Sequence, residues 1–291
     1  MVLQVAVAGA GNKRKDTEEE HNWSIYLDQL RKGDAKISHN WFRWVAPEKL
    51  LYPEDVFITA GSRINLYIER AAALHSAFLR RDIAESTLVS TKNFADVISM
   101  FAPASLSMAR GMWSTLRSCE HPSELAGEKK ACAASVKSMR EFALSALGTG
   151  SLCAFSTSLD VPEEGISSPS HMYEVAAVHA VTTTQGAEAE ANTTVTCHSM
   201  SFPFALFYCH AVNPTRIYEV TLRMEKDGNS AVPATTPAMV RALVVCHVNT
   251  SGFDPMLRYW VKLGRKPGET PVCHFLTRGD VLWAPAASAG A

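Results

Sequence analysis

Apolar and polar positions keep two different rhythms along this chain, and the change falls at Gly150. Before it, apolar residues mostly recur at helical spacing. Ile68, Ala71, Ala72, Leu74, His75, Phe78 and Leu79 favour a helix within residues 64–83, with His75 at its core or rim. Phe94, Val97, Ile98 and Phe101 have the same spacing. Pro103 is placed to open a helix whose apolar side carries Leu106, Met112, Trp113 and Leu116, because proline suits a first helical turn. Glu128 to Leu147 gives the clearest helix, with a stripe of Cys132, Val136, Met139, Phe142, Ala143 and Ala146 and with Gly148 as its C-terminal cap. Val56, Phe57 and Ile58 read as a short strand that Gly61 stops.

After Gly150, Ser, Thr, Val and Tyr dominate and the period falls to two. Met172 to Val181 alternates, with Tyr173, Val175, Ala177, His179 and Val181 on one side, so His179 is expected as a satisfied core histidine rather than a ligand. Phe202-Pro203 is a bend, and Tyr218 to Met224 a strand. Lys226-Asp227-Gly228-Asn229 is a turn signal, and the prolines from Pro233 to Pro237 lengthen that loop. Gln185 to Asn192 is a small, polar loop. Leu257 to Leu263 and Val281 to Trp283 complete the strands. Helices first and strands afterwards predict an α+β fold: a helical N-terminal half packed on a mainly antiparallel β C-terminal half. Residues 1–52 read as an appendage with a charge block, Asn12 to Glu20, and the scattered aromatics Trp23, Tyr26, Trp41, Phe42 and Trp44. The domain is expected over 53–284, with an Ala-rich tail at 285–291.

Composition narrows the function classes. The chain has 291 residues, 47% hydrophobic and 20% charged, as an ordinary globular protein does, with length for one large domain or two small ones. A net charge of −1 gives no electrostatic case for nucleic acid or an anionic membrane. No apolar run reaches the roughly 18 residues of a membrane span. No phosphate-cradling glycine loop, Gly-x-Ser-x-Gly or His-Glu-x-x-His occurs. Met1 to Ala8 is apolar but short, and lacks the basic start of a signal peptide, so a leader for export is not expected within this chain.

The chemistry concentrates between Thr196 and His274. There the dipeptide Cys-His occurs four times: Cys197-His198, Cys209-His210, Cys246-His247 and Cys273-His274, separated by ten, thirty-five and twenty-five residues. The flanks are β-like, and in a strand neighbouring side chains point to opposite faces. Each pair would send its thiol one way and its imidazole the other. If the four strands lie together, four sulfurs can gather on one side and four imidazoles on the other. An all-imidazole set suits copper, zinc, iron or nickel. No Cys-x-x-Cys knuckle of a zinc finger is present. A lone histidine would be read as capping a buried hydrogen bond; four that share a cysteine neighbour point to a metal. Tyr208, beside the second pair, reads as a packed strand tyrosine, with contact to the metal ligands as the alternative.

Seven cysteines leave one over. Twelve residues separate Cys119 from Cys132 around the polar loop Glu120 to Glu124, so a bridge there would staple the segment preceding a helix to its start. Cys197, Cys209, Cys246 and Cys273 can form two more, with the pairing open, and Cys153 remains as a buried reduced cysteine or a spare thiol. Sequons at Asn22, Asn192 and Asn249 are compatible with a secretory route.

Together these residues resemble the plant BURP domain. The resemblance rests on the four Cys-His pairs with their first and last gaps; on Cys119-Glu120, Gly127-Glu128-Lys129-Lys130-Ala131-Cys132 and Ser138-Met139; on Phe202-Pro203 with Phe207-Tyr208-Cys209-His210; and on Lys266-Pro267-Gly268 ahead of Val272-Cys273-His274-Phe275, then Trp283. It departs in a longer second spacer and in Asn249-Thr250-Ser251-Gly252-Phe253, where the family usually begins with an acid and ends with Trp. The resemblance implies that His198, His210, His247 and His274 hold copper. Some family members are copper-dependent oxidative peptide cyclases that use dioxygen to crosslink a Trp or Tyr side chain of a ribosomally made core peptide to another residue. Others are seed, stress or cell-wall proteins with no clear chemistry. The expected partner is a peptide, either the chain's own N-terminal segment or a separate precursor. Neither Gln4 nor Gln29 opens a typical core, which leaves Asn22-Trp23-Ser24-Ile25-Tyr26 and His39-Asn40-Trp41-Phe42-Arg43-Trp44 as aromatic candidates. A secreted or vacuolar monomer is expected.

Overall fold

The computed structural model of the chain describes residues 51–66, 90–101, 105–123, 125, 127–156, 171–181, 193–225, 239–255, 258–277 and 279–286. Outside them lie residues 1–50 with the candidate core peptides, Asn22, His75 and residues 67–83 of the first expected helix. Pro103, the 185–192 loop with Asn192, the 226–229 turn, Pro233 to Pro237 and residues 287–291 also lie outside.

Two antiparallel sheets carry the described fold. The first has the order β1 (Tyr52–Pro53), β10 (Val272–Phe275), β9 (Met239–His247), β8 (Thr215–Met224), β5 (His171–Ala180) and β2 (Arg63–Leu66). The second runs β3 (Lys129–Ala133), β7 (Phe207–Ala211), β6 (Val195–Ser199), β11 (Val281–Pro285) and β4 (Leu152–Phe155). The described helices are α1 (Glu54–Ile58), α2 (Phe94–Ser99), α3 (Leu106–Glu120), α4 (Val136–Leu147) and α5 (Arg258–Leu263). The fold is therefore α+β with antiparallel sheets and a strand-rich C-terminal half. The expected helical N-terminal half is too strong a description, since β2 and β3 interrupt it. Among the described residues no helix is long and apolar enough to cross a membrane.

Among the described residues, apolar clusters on both outer faces and between the sheets hold them. Under α1, on the outer face of the first sheet, Phe57 packs with Ile64, Tyr173, Val175, Val220, Leu222, Val244, Cys246 and Cys273. Under α4, on the outer face of the second sheet, Met139 and Ala143 pack with Val195, Cys197, Cys209 and Trp283. Between the sheets, Ile217, Leu243 and Val245 of the first meet Leu282 of the second, with Leu276 from the link between β10 and β11. Two short links, Val212 to Pro214 and Leu276 to Asp280, pass from one sheet to the other. Beside the first link, Thr194, just ahead of β6, and Thr215, which opens β8, join hydroxyls at 2.9 Å, while Thr194 N donates to Asn213 Oδ1 at 2.9 Å.

Several local expectations are corrected. Val56 to Ile58 is helical, not a strand: Pro53 precedes it and Glu54 and Asp55 occupy its first turn, where carboxylates favour a helix start. The 128–147 helix is shorter at its front. Lys129 to Ala133 forms strand β3, paired from Lys129↔Ala211 to Ala133↔Phe207, and the helix begins after Ser135, whose hydroxyl accepts from Ser138 N. Gly148 closes it at φ 64°, as expected of a C-terminal cap. Residues 258–263 are helical because Tyr259 and Trp260 are buried while Val261 is 75% exposed, a one-sided pattern. His179 is exposed and not a core histidine. The register of β5 on β8 shifts between Val175 and Ala177, and that bulge turns Val178, not His179, towards the core.

Candidate metal centre between the two sheets

All four Cys-His pairs lie on strands, and they form one device used twice. In the second sheet Cys197 faces Cys209 across β6 and β7, while Thr196 faces His210 and His198 faces Tyr208. In the first sheet Cys246 faces Cys273 across β9 and β10, while His247 faces Val272 and His274 faces Val245. The cysteines opposite one another are bonded, Cys197 to Cys209 and Cys246 to Cys273. Each bridge therefore has one histidine on either side of it, set diagonally across the strand pair. Strand alternation puts the sulfurs into the outer apolar clusters and the imidazoles into the space between the sheets. The sulfurs thus do not gather on a single side; they divide into two distant bridges, one per sheet.

The imidazoles do gather. Ring centroids are 5.3 Å apart for His198 and His210, 5.6 Å for His210 and His247, 5.5 Å for His247 and His274, and 5.2 Å for His274 and His198. These four distances close a quadrilateral, two rings from each sheet. His198 Nε2 and His210 Nε2 are 3.3 Å apart. Two nitrogens bound tetrahedrally at about 2.0–2.1 Å from one metal would stand roughly 3.3 Å from each other. Among the described residues no group of three or more His, Cys, Asp or Glu is drawn together tightly enough to clasp an ion as it stands. The ring is a pre-arranged set of neighbours and not a closed coordination sphere.

What each Nδ1 touches decides where the lone pairs point. His247 Nδ1 lies 3.1 Å from the Val212 carbonyl, and His274 Nδ1 lies 3.2 Å from the Phe275 carbonyl. His198 Nδ1 lies 3.3 Å from Asp280 Oδ2. Carbonyls and ionised carboxylates only accept, so these Nδ1 atoms donate, and in a neutral ring Nε2 carries the lone pair. His210 Nδ1 is 3.3 Å from Glu128 Oε1, a close contact off the hydrogen-bond direction. This is the arrangement in which a second partner orients a metal-bound histidine. Burial, reinforced by the neighbouring rings, pulls His247 and His274 down to about 3 and holds His210 well below the ordinary value. Neutral rings are what a metal requires. Burial pushes the Asp280 carboxyl up, but His198 and the N–H donors of Ser199 and Thr277 outweigh it and keep it below its usual range. Burial raises Glu128, in part countered by Ser123, Lys130 and Tyr208.

The sequence profile of the BURP domain matches residues 52–285. The chain belongs to the BURP family. It is 38% identical over 248 residues to BURP domain-containing protein 11 of Oryza sativa subsp. japonica, covering 79% of this chain and 75% of the relative. It is 36% identical over 218 residues to BURP domain-containing protein 9 of the same plant, covering 75% of this chain and 39% of the relative. It is 32% identical over 228 residues to Protein RAFTIN 1A of Triticum aestivum, covering 78% of this chain and 53% of that protein. The chain thus spans about two fifths to three quarters of these relatives, whose names carry no enzymatic activity.

Within this BURP domain the third disulfide joins Cys119 to Cys132, and Cys153 is a free, half-buried thiol. Three disulfides accord with an oxidising, secretory compartment. Asn249, the one sequon residue within the described part, is exposed. Tyr208 is a packed strand tyrosine, fully buried, and it also touches the histidine set: its ring centroid is 5.7 Å from that of His210, with Lys130 Nζ 5.3 Å from its own. Sequence reasoning missed two residues, Asp280 and Glu128. Glu128 sits in the Gly127-to-Cys132 segment that carried the resemblance, which was the available signal. Asp280, after Gly279 at the head of β11, reads from sequence only as a turn residue.

Proposed function

We propose that this BURP domain is a copper-dependent oxidative peptide cyclase, which joins a Trp or Tyr side chain of a ribosomal core peptide to another residue with dioxygen as co-substrate. The observation that supports it is the closed quadrilateral of four imidazoles, two from each sheet. His198, His210, His247 and His274 would hold the metal through Nε2. The donor set fits: neutral imidazoles suit copper, and the carboxylates of Asp280 and Glu128 offset a buried positive charge. Copper would pass the two electrons of the coupling on to dioxygen, which no side chain can do, and the two protons would leave with the reduced oxygen. The protein's own share is to hold His210, His247 and His274 neutral, to aim the Nε2 lone pairs of His198, His247 and His274 inward, and to keep the site dry with Tyr208 and Phe253 packed on His210 and His247. The substrate is a peptide in cis or in trans, and the setting is the apoplast or vacuole.

One observation favours a second reading, a non-enzymatic BURP protein of wall, seed or stress response. His198, His210, His247 and His274 are only 8%, 1%, 1% and 4% exposed. Closed sites are typically structural, whereas catalytic ones keep a position open. Copper titration of the chain and of the four single His→Ala variants, followed by visible and spin-resonance spectra, separates the two. The cyclase reading expects similar loss of the copper signal in all four, and a product about two mass units lighter per crosslink when copper, oxygen and a Trp-containing peptide are supplied. Copper-loaded protein that leaves its own N-terminal segment and added peptides unchanged in mass, yet binds wall polysaccharide, favours the second.

A further inference from the structure

Asp280 lies on the link from β10 to β11, in the passage from the first sheet to the second. It is 2% exposed. Its Oδ1 accepts from Ser199 N at 2.9 Å, and its Oδ2 accepts from Thr277 N at 2.9 Å and faces His198 Nδ1 at 3.3 Å. One carboxylate therefore ties the end of ligand strand β6, the inter-sheet link and one ligand ring together. A carboxylate facing Nδ1 admits one neutral tautomer, with the proton on Nδ1 and the lone pair on Nε2. The other face of the same ring then meets His210 Nε2 at 3.3 Å and the His274 ring at 5.2 Å.

We propose that Asp280 is the positioning residue of the centre: it fixes the tautomer and tilt of His198, so that Nε2 faces the neighbouring rings of His210 and His274. This rests on the copper reading above. The competing role is a plain turn residue that caps Ser199 and Thr277 and leaves the metal untouched. Asp280→Asn keeps the shape but leaves one acceptor oxygen and one NH2 donor where three donors, His198 Nδ1 and the N–H groups of Ser199 and Thr277, share two oxygens. Loss of such a partner loosens a metal by about 10- to 100-fold.

The test is copper affinity by chelator competition on the full chain, with the Cu(II) spin-resonance spectrum as second readout. Asp280→Asn is expected to loosen copper by that factor and to change the spectrum. In a His198→Ala background the same change is expected to add nothing. Glu54→Gln serves as the structural control. Glu54 is a buried carboxylate bonded to Arg216 and Tyr218, each at 2.7 Å, and its loss is expected to lower the melting temperature with copper affinity unchanged. Wild-type affinity and spectrum in Asp280→Asn, or an equal loss with and without His198, overturn the proposal. Nitrogen-15 spectra of the metal-free wild-type protein at pH 8 test it without any variant: a His198 proton on Nδ1 supports it, and a ring protonated at Nε2 alone overturns it. A wild-type chain that takes up no copper refutes the cyclase reading, and the nitrogen spectra still decide the tautomer.

Discussion

A neutral imidazole has one lone pair, and the partner of its other nitrogen decides where that pair points. In this protein the carbonyls of Val212 and Phe275 and the carboxylate of Asp280 make that choice for His247, His274 and His198. Burial adds a pH dependence with a definite sign. The ordinary value is 6.5, and His247 and His274 are held near 3, with His210 also low. Below 6.5 the unfolded chain takes up protons at these rings and the folded chain does not. Stability present above pH 6.5 is therefore lost as pH falls towards 3, by about 1.4 kcal/mol per pH unit for each ring. Glu128, raised in the fold, opposes this by one proton near its own titration. Asp280, held low, adds to the loss only below its ordinary 3.8. Urea melts of metal-free protein at pH 7.5, 6 and 5 should show a midpoint that drops at each step. A midpoint that is flat from 7.5 to 5 would mean that the rings are solvated.

At the scale of elements, the Cys119–Cys132 bridge spans 13 positions and joins the last turn of α3 to β3. Lys130 Nζ reinforces it by donating to Ser118 O at 2.9 Å. A loop of this size contributes about 3 kcal/mol in the chain-entropy account. Replacing both cysteines with serine should lower the melting temperature accordingly, while copper affinity stays close to wild type because β3 keeps its five-residue ladder on β7. An unchanged melt would show that the ladder alone holds the edge. This strand also shows where local patterns stop. The stripe through Cys132, Val136 and Met139 has a true helical period, yet the first part of it is a strand whose partner lies some eighty residues on, and no local window contains that partner. The bulge at Val175 hides in the same way, since one extra residue reverses every later side chain and His179 changes faces. The Cys-His strands were legible because a two-residue unit carries its own geometry: wherever such a strand pairs, thiol and imidazole part. The sequence does not show which sheet each strand joins, and so a single gathering of the four sulfurs holds only if the four strands lie together, whereas the sulfurs lie on two outer faces.

Across the whole molecule, the four histidines divide evenly between two sheets, which short links and an apolar layer hold face to face. A metal bound to all four would act as a rivet through the domain rather than as a clip on one edge. Ligand bound only by the native state stabilises it by RT ln(1 + [L]/Kd), about 2.7 kcal/mol at a hundredfold excess over Kd. Copper should therefore raise the melting temperature of the wild-type protein as one cooperative transition. His198→Ala, on the second sheet, and His274→Ala, on the first, should each abolish most of that rise. The even division gives the comparison its force. If copper sat on the β6–β7 pair alone, His274→Ala would keep the full shift; if on β9–β10 alone, His198→Ala would. Calorimetric scans of the three proteins with and without copper distinguish these cases. Equal loss from both sheets is the result that a single centre between them requires.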